Sequence, residues 1–459
     1  LSGANTYNGG SNINAGTLLA NSSSALGSAG TLSFGGGTLQ YSASNTTDYS
    51  ARISTAAGQA YNVDTNGQNV TWASALTSSG AALGKSGSGM LTLSGANTYS
   101  GGTTVSAGTL KVGRASVGAV GAITSGALGT AGVTVVNGAA IDLNGYTLLN
   151  GTTVAGTGVS SGGALTNSSA SAVTVSGPLT LSASSSLIST PGITLGTVNG
   201  GAYALTVTAG TGAGTGDITL NGALTFSGEN ISTFTASRNI NINNTITVNG
   251  TTSASGIALK FSQGATNSGD YNFGLTASGA GVGMTASFAG SINFANTAST
   301  FSTQNYTAAA KSYTLVDSFT TAAPSTSTFY CVTTTHCGGS NAVNFALAGD
   351  INATGFTAAN MRAVGPTNNV GYAGIFEGLG HKINNLSLSG SGNVALFQST
   401  AANAEIRNLR LSAANISGGS YTGALVANTS SSLKITNVVL DSTSSVTGGS
   451  SDNVGGLVG

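Results

Sequence analysis

Acidic and basic side chains, which could perform proton transfer or bind metals, are few in this sequence and widely spaced. The 459 residues include 12 Asp and Glu, 12 Lys and Arg, and 2 His. No two acidic residues lie within ten positions of each other, so no local carboxylate pair suits glycoside cleavage. In a repetitive fold, stacking could still bring Asp217 near Glu229, or Asp441 near Asp452. We predict no catalytic residue.

Glu377, His381 and Lys382 form the densest polar group in the sequence. They could make an acid–base pair, but the intervening residues 378–380 read Gly-Leu-Gly and favour a turn with exposed polar side chains. With only two histidines, a Ser/His/Asp triad is also disfavoured. Residues 84–86, Gly-Lys-Ser, lack the preceding glycine spacing of a phosphate-binding loop.

Cys331 and Cys337 enclose five residues, including His336, in a chain with no other cysteine. An even, local pair predicts one disulfide and an oxidising compartment, with free thiols as the alternative. A Cys/His/Cys metal site is least favoured because the spacing matches no zinc pattern. No calcium-binding nonapeptide array occurs either, so we predict neither a metal nor another cofactor.

Four aromatic residues cluster in a stretch that departs from the repeat pattern described below: Tyr41, Tyr49, Tyr61 and Trp72. One hypothesis is that residues 41–75 form a protruding loop that contacts binding partners, since tyrosine supplies contact area at modest entropic cost. The alternative, which we favour, is a lateral hairpin that packs these rings against the body of the fold.

The overall composition excludes several classes of protein. Charged residues make up 5% of the chain and the formal net charge is zero, so no electrostatic footprint for nucleic acid exists. Hydrophobic residues make up 40%, which suffices for a core. Helix formers such as Glu, Lys, Gln and Arg are scarce, whereas Thr, Val, Ser and Gly abound. The sequence therefore predicts an all-β protein.

An internal repeat dominates the first part of the chain. Residues 1–20 and 93–112 are identical at nine of their first ten positions, and residues 25–30 correspond to 127–132. The second copy is longer between these two matching parts, which predicts an insertion near residues 113–124. Such self-similarity is the signature of stacked repeats.

Each repeat alternates short strands with glycine-rich corners. Residues 91–93 and 104–106 alternate apolar and polar side chains, and residues 97–102 supply a tight corner. About 20 residues complete one circuit, which predicts a right-handed parallel β-helix, a β-solenoid rod of roughly 20-residue rungs. Each rung buries its inward Leu, Val and Ile side chains against its neighbours.

A second repeat occupies the C-terminal part, where Asn385, Asn408 and Asn437 each precede a short apolar strand. The spacing between these motifs is unequal, which predicts a constant rung with loops of variable length. We hypothesise that the three asparagines form a ladder along the axis, with amide groups hydrogen-bonded between rungs.

These segments resemble known families. Residues 93–110 resemble the passenger-associated repeat of bacterial autotransporters, and residues 311–400 are similar to the repeat region of filamentous-haemagglutinin-type exoproteins. The Gly-Gly-Leu-Val-Gly sequence at 455–459, with degenerate copies at 394–398 and 423–427, resembles the GLUG motif of extracellular adhesins.

The resemblance implies a fragment of a large adhesin passenger, exported to the cell outer membrane surface of a Gram-negative bacterium or released outside the cell. Its expected partners are an outer-membrane translocator barrel and a glycan or protein on a host or neighbouring cell. It divides the chain into autotransporter-type repeats at 1–150, a haemagglutinin-like solenoid at 151–310 and GLUG-type repeats at 311–459. Two alternatives are a glycan-degrading β-helix enzyme and an inert stalk for an effector encoded elsewhere.

Overall fold

The structure is a computed structural model of an all-β chain. It describes residues 1–210, 216–264, 269–278, 285–306, 308–319, 342–356, 371–429, 432–449 and 453–459. The helical segments within these ranges are two three-residue turns, Ser50–Arg52 and Val159–Ser161. No helix in the described part of the chain has the length and apolarity to cross a membrane. Cys331 and Cys337 lie outside the described residues.

The strands are short and follow one another closely. Up to residue 226 they are β1 (Ser11–Ile13), β2 (Thr17–Leu19), β3 (Leu32–Phe34), β4 (Thr38–Gln40), β5 (Ala60–Asp64), β6 (Asn69–Trp72), β7 (Ala82–Ser86), β8 (Met90–Leu93), β9 (Thr103–Val105), β10 (Gly108–Val112), β11 (Val117–Ala119), β12 (Ala122–Ser125), β13 (Val133–Val135), β14 (Ala139–Asp142), β15 (Thr152–Gly156), β16 (Leu165–Asn167), β17 (Val173–Val175), β18 (Leu179–Ser189), β19 (Gly192–Leu195), β20 (Val198–Gly201), β21 (Leu205–Ala209), β22 (Asp217–Leu220) and β23 (Leu224–Phe226).

The remaining strands are β24 (Ile231–Ala236), β25 (Ile240–Ile242), β26 (Thr245–Val248), β27 (Gly256–Lys260), β28 (Tyr271–Phe273), β29 (Leu275–Ser278), β30 (Thr285–Phe288), β31 (Ser291–Phe294), β32 (Thr300–Gln304), β33 (Lys311–Val316), β34 (Phe345–Leu347), β35 (Ile351–Asn352), β36 (Ile375–Glu377), β37 (Lys382–Asn384), β38 (Ser387–Ser389), β39 (Phe397–Thr400), β40 (Glu405–Ser412), β41 (Asn415–Gly418), β42 (Tyr421–Gly423), β43 (Val426–Thr429), β44 (Lys434–Leu440), β45 (Ser445–Gly448) and β46 (Asn453–Gly455).

The chain forms two compact units. The N-terminal unit comprises Leu1–Phe226, Ser232–Ile240 and Lys260–Asp270, and the C-terminal unit comprises Ser227–Ile231, Asn241–Leu259 and Tyr271–Gly459. The division at residues 150 and 310 that the resemblance implies stays a prediction.

In the N-terminal unit, consecutive rungs pair as parallel strands in register, so inward side chains form continuous columns. One column is Val70, Leu91, Leu110, Ile141, Leu165, Leu187 and Val207. The circuit from Leu91 to Leu110 is short and the next one, from Leu110 to Ile141, is much longer. The parallel β-solenoid predicted from the sequence is confirmed. Longer circuits keep the same register because the extra residues enter loops, whose lengthening has a small entropic cost.

The insertion predicted near residues 113–124 is confirmed. There β11 and β12 form an antiparallel hairpin, in which Ala119 pairs with Ala122. Val117 and Val120 are about half exposed, so the hairpin adds little to the core. The strands before and after the hairpin keep their parallel register, with Leu110 still facing Ile141.

The C-terminal unit uses a longer rung than the sequence predicts. Phe345 faces Phe376 on the next rung, and Ile383 faces Leu411. One rung here contains four short strands, β36 to β39, whereas the rung containing β7 and β8 has two. The predicted circuit length is therefore wrong for this unit, because each circuit there contains additional strands.

Candidate functional site

Two of the residues that are identical in the two N-terminal repeats, an asparagine and a tyrosine, join one rung to the next. Asn97 donates from Nδ2 to the Ala127 carbonyl at 2.7 Å and accepts from the Leu76 amide at 2.8 Å. In the first copy, Asn5 donates to the Ala25 carbonyl at 2.8 Å. The predicted correspondence between residues 25–30 and 127–132 is thus confirmed by equivalent hydrogen bonds.

A tyrosine and a glycine complete the same contact. The Tyr99 ring is fully buried and lies over Gly129, where a Cβ atom would approach the ring to 2.5 Å. Gly129 has φ +71°, a conformation that favours glycine. In the first copy, Tyr7 lies over Gly27 in the same way, with φ +66°. We call the Asn–Tyr–Gly arrangement, with its Ala-Leu-Gly acceptor segment, the repeat lock.

The acceptor segment turns several carbonyl groups to one side, and a polar side chain from another rung binds them. In the first copy, Arg52 donates to the carbonyls of Leu26 and Gly30 at 2.8 and 2.9 Å. In the second copy, Asn150 donates to the Ala131 carbonyl at 2.7 Å. Comparison of the two repeats does not identify Arg52 and Asn150, because a different residue type binds the carbonyl groups in each copy.

Lys85 lies inside the N-terminal unit, in a column of aliphatic side chains. It is flanked by Val63 on one rung and Val105 on the other, and it is fully buried. Its Nζ donates to the carbonyls of Ser86 at 2.9 Å, Gly87 at 2.8 Å and Ala107 at 3.0 Å. Burial lowers the pKa of Lys85 to about 8, against an opposing effect of Asp64. The amine therefore binds corner carbonyls and no phosphate.

Raising the pH from 8 to 10 is expected to stabilise the wild type relative to Lys85→Met. Between the lowered pKa of about 8 and the ordinary 10.5, the folded chain binds fewer protons than the unfolded chain. The free energy of unfolding must then rise with pH between these two pKa values. Below the lower value, Lys85 is charged in both states, and the cost of burying its charge is fully present. Urea denaturation followed by the fluorescence of Trp72, the one tryptophan, measures the difference. A difference that is constant from pH 7 to 10 would contradict the assignment.

The hypothesis of a protruding aromatic loop is wrong, whereas the favoured expectation that the four rings are packed into the fold is confirmed. Tyr41, Tyr61 and Trp72 are fully buried and Tyr49 is 2% exposed. Tyr61 and Trp72 lie on β5 and β6, which are ordinary rungs of the parallel stack, so neither a protruding loop nor a lateral hairpin forms. Trp72 Nε1 donates to the Tyr41 hydroxyl at 2.8 Å, and Tyr41 stacks on Tyr49. These rings fill the core instead of facing partners.

In the C-terminal unit, Glu377 is fully buried within a polar network that we call the Glu377 cluster. The Tyr271 hydroxyl donates to its Oε2 at 2.6 Å, and Asn408 Nδ2 donates to its Oε1 at 3.0 Å. The Leu379 amide donates to Oε1 at 2.9 Å. Arg407 Nε lies 3.3 Å from Oε2, and its guanidinium covers the Tyr271 ring at 4.3 Å.

A series of salt bridges connects the Glu377 cluster to the surface. Burial raises the pKa of Glu377, and Arg407 opposes that shift. Arg407 Nη1 also lies 3.3 Å from Glu405, which in turn pairs with the exposed Lys434 at 3.0 Å. Burial likewise raises the pKa of Tyr271 well above its ordinary value, helped by the charge of Glu377. The tyrosine therefore stays a hydrogen-bond donor.

His381 is also buried. The prediction that the side chains of Glu377 and His381 are exposed is therefore wrong. Its Nδ1 lies 3.2 Å from Asp350 Oδ1 and its Nε2 lies 2.8 Å from the Ile292 carbonyl oxygen. Both ring nitrogens thus face acceptors within the fold, and neither is directed to a substrate. The turn itself exists, with Leu379 at φ +52°, and Lys382 is partly exposed at its end.

The asparagine ladder is confirmed for two of its three members. Asn437 Nδ2 donates to Asn408 Oδ1 at 3.1 Å. Asn385 belongs to another column, where its side-chain amide donates to Asn352 at 3.1 Å. The predicted alignment of Asn385 with Asn408 is wrong because Asn385 lies beside the end of β40, where its backbone amide donates to the Ser412 carbonyl.

The acids that stacking could have brought together have structural partners. Asp217 forms a salt bridge with Arg238, and Glu229 accepts hydrogen bonds from Thr251 and Thr252. Asp441 lies 3.1 Å from Arg410.

The partner suggested for Asp441, Asp452, lies outside the described residues. Within the described ranges, no group of three His, Cys, Asp or Glu side chains could hold a metal ion.

Stacked parallel rungs joined by a repeat-specific lock define a β-solenoid scaffold. Residues 1–20 and 83–112 match the family of the passenger-associated-transport-repeat. The match supports the interpretation of the chain as an autotransporter passenger, a class that is secreted or displayed at the outer-membrane surface. No curated protein and no solved structure matches the chain. The resemblances to filamentous haemagglutinin and to the GLUG motif lie outside the matched residues and stay predictions.

Proposed function

We propose that this chain is part of a secreted or surface-displayed bacterial adhesin, in which the β-solenoid is a scaffold for cell adhesion and performs no catalysis. The observation that carries the proposal is the repeat lock. Asn97 and Tyr99, which are shared by the two segments that match the transport-repeat family, join successive rungs. A chain built this way can add rungs from one nucleated end, because each repeat contacts mainly its neighbours.

The distribution of ionisable groups supports a scaffold over an enzyme. Glu377, His381 and Lys85 are buried and bound to groups within the fold. Glycan cleavage requires a carboxylic acid and a second carboxylate about 5–10 Å apart on either side of the scissile bond. Glu377 is instead bound to tyrosine, amide and arginine groups, and Lys85 and His381 are bound to groups within the fold, which suits a structural role.

The expected partners are an outer-membrane translocator barrel and a glycan or protein on the surface of a host or neighbouring cell. The GLUG-like segments support an adhesin, and the resemblance to filamentous haemagglutinin supports extracellular placement. An inert stalk would share the fold and the location but would contribute no adhesion of its own.

Surface display and adhesion are measured separately. Antibodies against the chain, applied to intact and fractionated cells with and without external protease, are expected to detect a protease-sensitive surface antigen. A strain from which the gene is deleted is expected to adhere less to cultured cells, and the restored gene to recover adhesion. A protease-protected intracellular antigen would overturn the location, and unchanged adhesion after deletion would favour the inert stalk.

A further inference from the structure

An open groove of about 430 Å³ lies on the C-terminal unit. Its polar and aromatic walls are formed by Thr245, Phe288, Ser291, Asn293, Asp350 and His381. Backbone from three glycines, Gly290, Gly349 and Gly380, forms the rest of the lining together with Ala289. The groove is thus lined by an aromatic residue together with residues that carry hydroxyl, amide and carboxylate groups.

The floor of the groove is closely packed. Gly380 has φ +81°, and a Cβ atom there would lie 2.2 Å from the Gly290 carbonyl oxygen. Beneath it, His381 Nε2 is tied to the Ile292 carbonyl and Nδ1 to Asp350. The floor is therefore held in place before any ligand arrives, which limits the entropic cost of binding.

The polar groups of the rim have capacity left for a ligand. Asn293 Oδ1 accepts a hydrogen bond from Ser291 at 3.2 Å, while its amide nitrogen donates to no atom of the described residues. The side chain of Asp350 is 55% exposed, and its Oδ2 lies 3.8 Å from Lys382 Nζ, beyond hydrogen-bond distance. The rim therefore offers both a donor and an acceptor.

Phe288, the last residue of β30, lines the same groove and is partly exposed. A sugar ring has one face of C–H groups and a rim of hydroxyl groups. An aromatic side chain matches the first, and an amide, a carboxylate and hydroxyl groups match the second. A few directed polar groups around an apolar contact are typical of small-ligand sites.

We propose that this groove binds a single neutral sugar residue of a cell-surface glycan. The inference rests on the proposed function, since it names the ligand class that the adhesin would contact. Asp350 places a carboxylate at the rim, which disfavours sugars that carry a carboxylate or sulfate. Asp350 is the one carboxylate among the residues that line the groove, so the site lacks the pair that cleavage requires. The groove binds and does not cleave.

The test uses the purified 459-residue chain and methyl glycosides of glucose, galactose, mannose, N-acetylglucosamine and N-acetylgalactosamine, with N-acetylneuraminic acid as the anionic comparison. Saturation-transfer NMR and calorimetric titration are expected to detect binding of at least one neutral glycoside. Phe288→Ala and Asn293→Ala are each expected to weaken it about tenfold or more. Tyr306→Ala, which removes an exposed ring of the same unit outside the groove, is expected to change it less than about twofold.

Three results would overturn the assignment: no neutral glycoside binds at about 10 mM, both groove variants bind like the wild type, or the anionic sugar binds most tightly. Thermal melting of the two groove variants checks that they remain folded. Adhesion of bacteria displaying the chain separates this inference from the proposed function. If they adhere while the purified chain binds no glycoside, the groove assignment fails and adhesion stands. If the groove binds sugar and displaying cells do not adhere, adhesion fails and the groove stands.

Discussion

Arg407→Met is expected to lower the free energy of unfolding of the C-terminal unit by about 3–5 kcal/mol. The substitution removes the guanidinium that lies 3.3 Å from the buried Glu377 carboxylate. Tyr271 and Asn408 would still donate hydrogen bonds to the carboxylate, but its charge would have lost the cation that offsets its desolvation. A buried charge without its partner is far more costly than an exposed one, because the low-dielectric surroundings solvate it poorly.

Lys434, which belongs to the same series of salt bridges, provides the control variant. Lys434→Met removes the other cation beside Glu405, but Lys434 is 62% exposed, so the expected loss is at most about 1 kcal/mol. Hydrogen exchange of β36 and β40, which contain Glu377 and Arg407, measures both variants on the strands concerned. Equal and small losses for the two variants would show that the Glu377 cluster needs no internal cation.

The pH dependence of the Arg407→Met variant tests the cause of its instability. Burial raises the pKa of Glu377, and Arg407 opposes that shift, so the variant's pKa is expected to lie higher still. A carboxyl group with a raised pKa in the folded state costs stability above that pKa, and the cost is gone below its ordinary value of 4.5. The deficit of the variant should therefore shrink as the pH falls from 7 toward 4.5. A deficit that is independent of pH would indicate lost packing instead.

Local patterns in the sequence were sufficient for the features that depend on neighbouring rungs. The repeated Asn-Thr-Tyr segment and the Asn408–Asn437 contact connect residues one circuit apart, and the insertion forms the local β11–β12 hairpin. The alternation in residues 61–63 and 70–72 also places Tyr61, Val63, Val70 and Trp72 on inward faces. That period-2 pattern shows these rings to be inward, whereas the departure of residues 41–75 from the repeat pattern favours a loop or a lateral hairpin.

The C-terminal site could not be predicted because Tyr271 is distant in the sequence from Glu377 and Arg407, although Asn408 belongs to the C-terminal repeat. Tyr271 and Glu377 are 106 residues apart, and Tyr271 and Arg407 are 136 apart. Around Glu377, the Gly-Leu-Gly sequence correctly indicates a turn, yet a turn inside a wide rung is covered by other strands. For Lys85, the sequence predicts the direction of the side chain but not its partners. Its alternation with Leu83 predicts an inward side chain, but only the corner geometry reveals the three carbonyl groups that bind its amine.

Asn97→Ala is expected to lower the free energy of unfolding of the N-terminal unit by about 2–4 kcal/mol. Asn97 is 1% exposed, and its side chain satisfies both the Ala127 carbonyl and the Leu76 amide. Alanine would leave a buried acceptor and a buried donor without these partners, each at a cost of about 1–3 kcal/mol. Urea denaturation followed by the fluorescence of Trp72 measures the loss within the same unit.

The other copy of the repeat supplies a matched control, because Asn5 makes the equivalent bond to Ala25 at 2.8 Å but is less buried. Water can replace a lost partner there, so Asn5→Ala is expected to cost less than about 1 kcal/mol. If the two substitutions were equally mild, the repeat lock would contribute little to stability, and the shared residues would need another explanation. A large loss confined to Asn97→Ala would mean that identical sequence has unequal weight in the two copies. The burial of each asparagine, which the repeated sequence does not determine, would then set how much its repeat lock contributes to the free energy of unfolding.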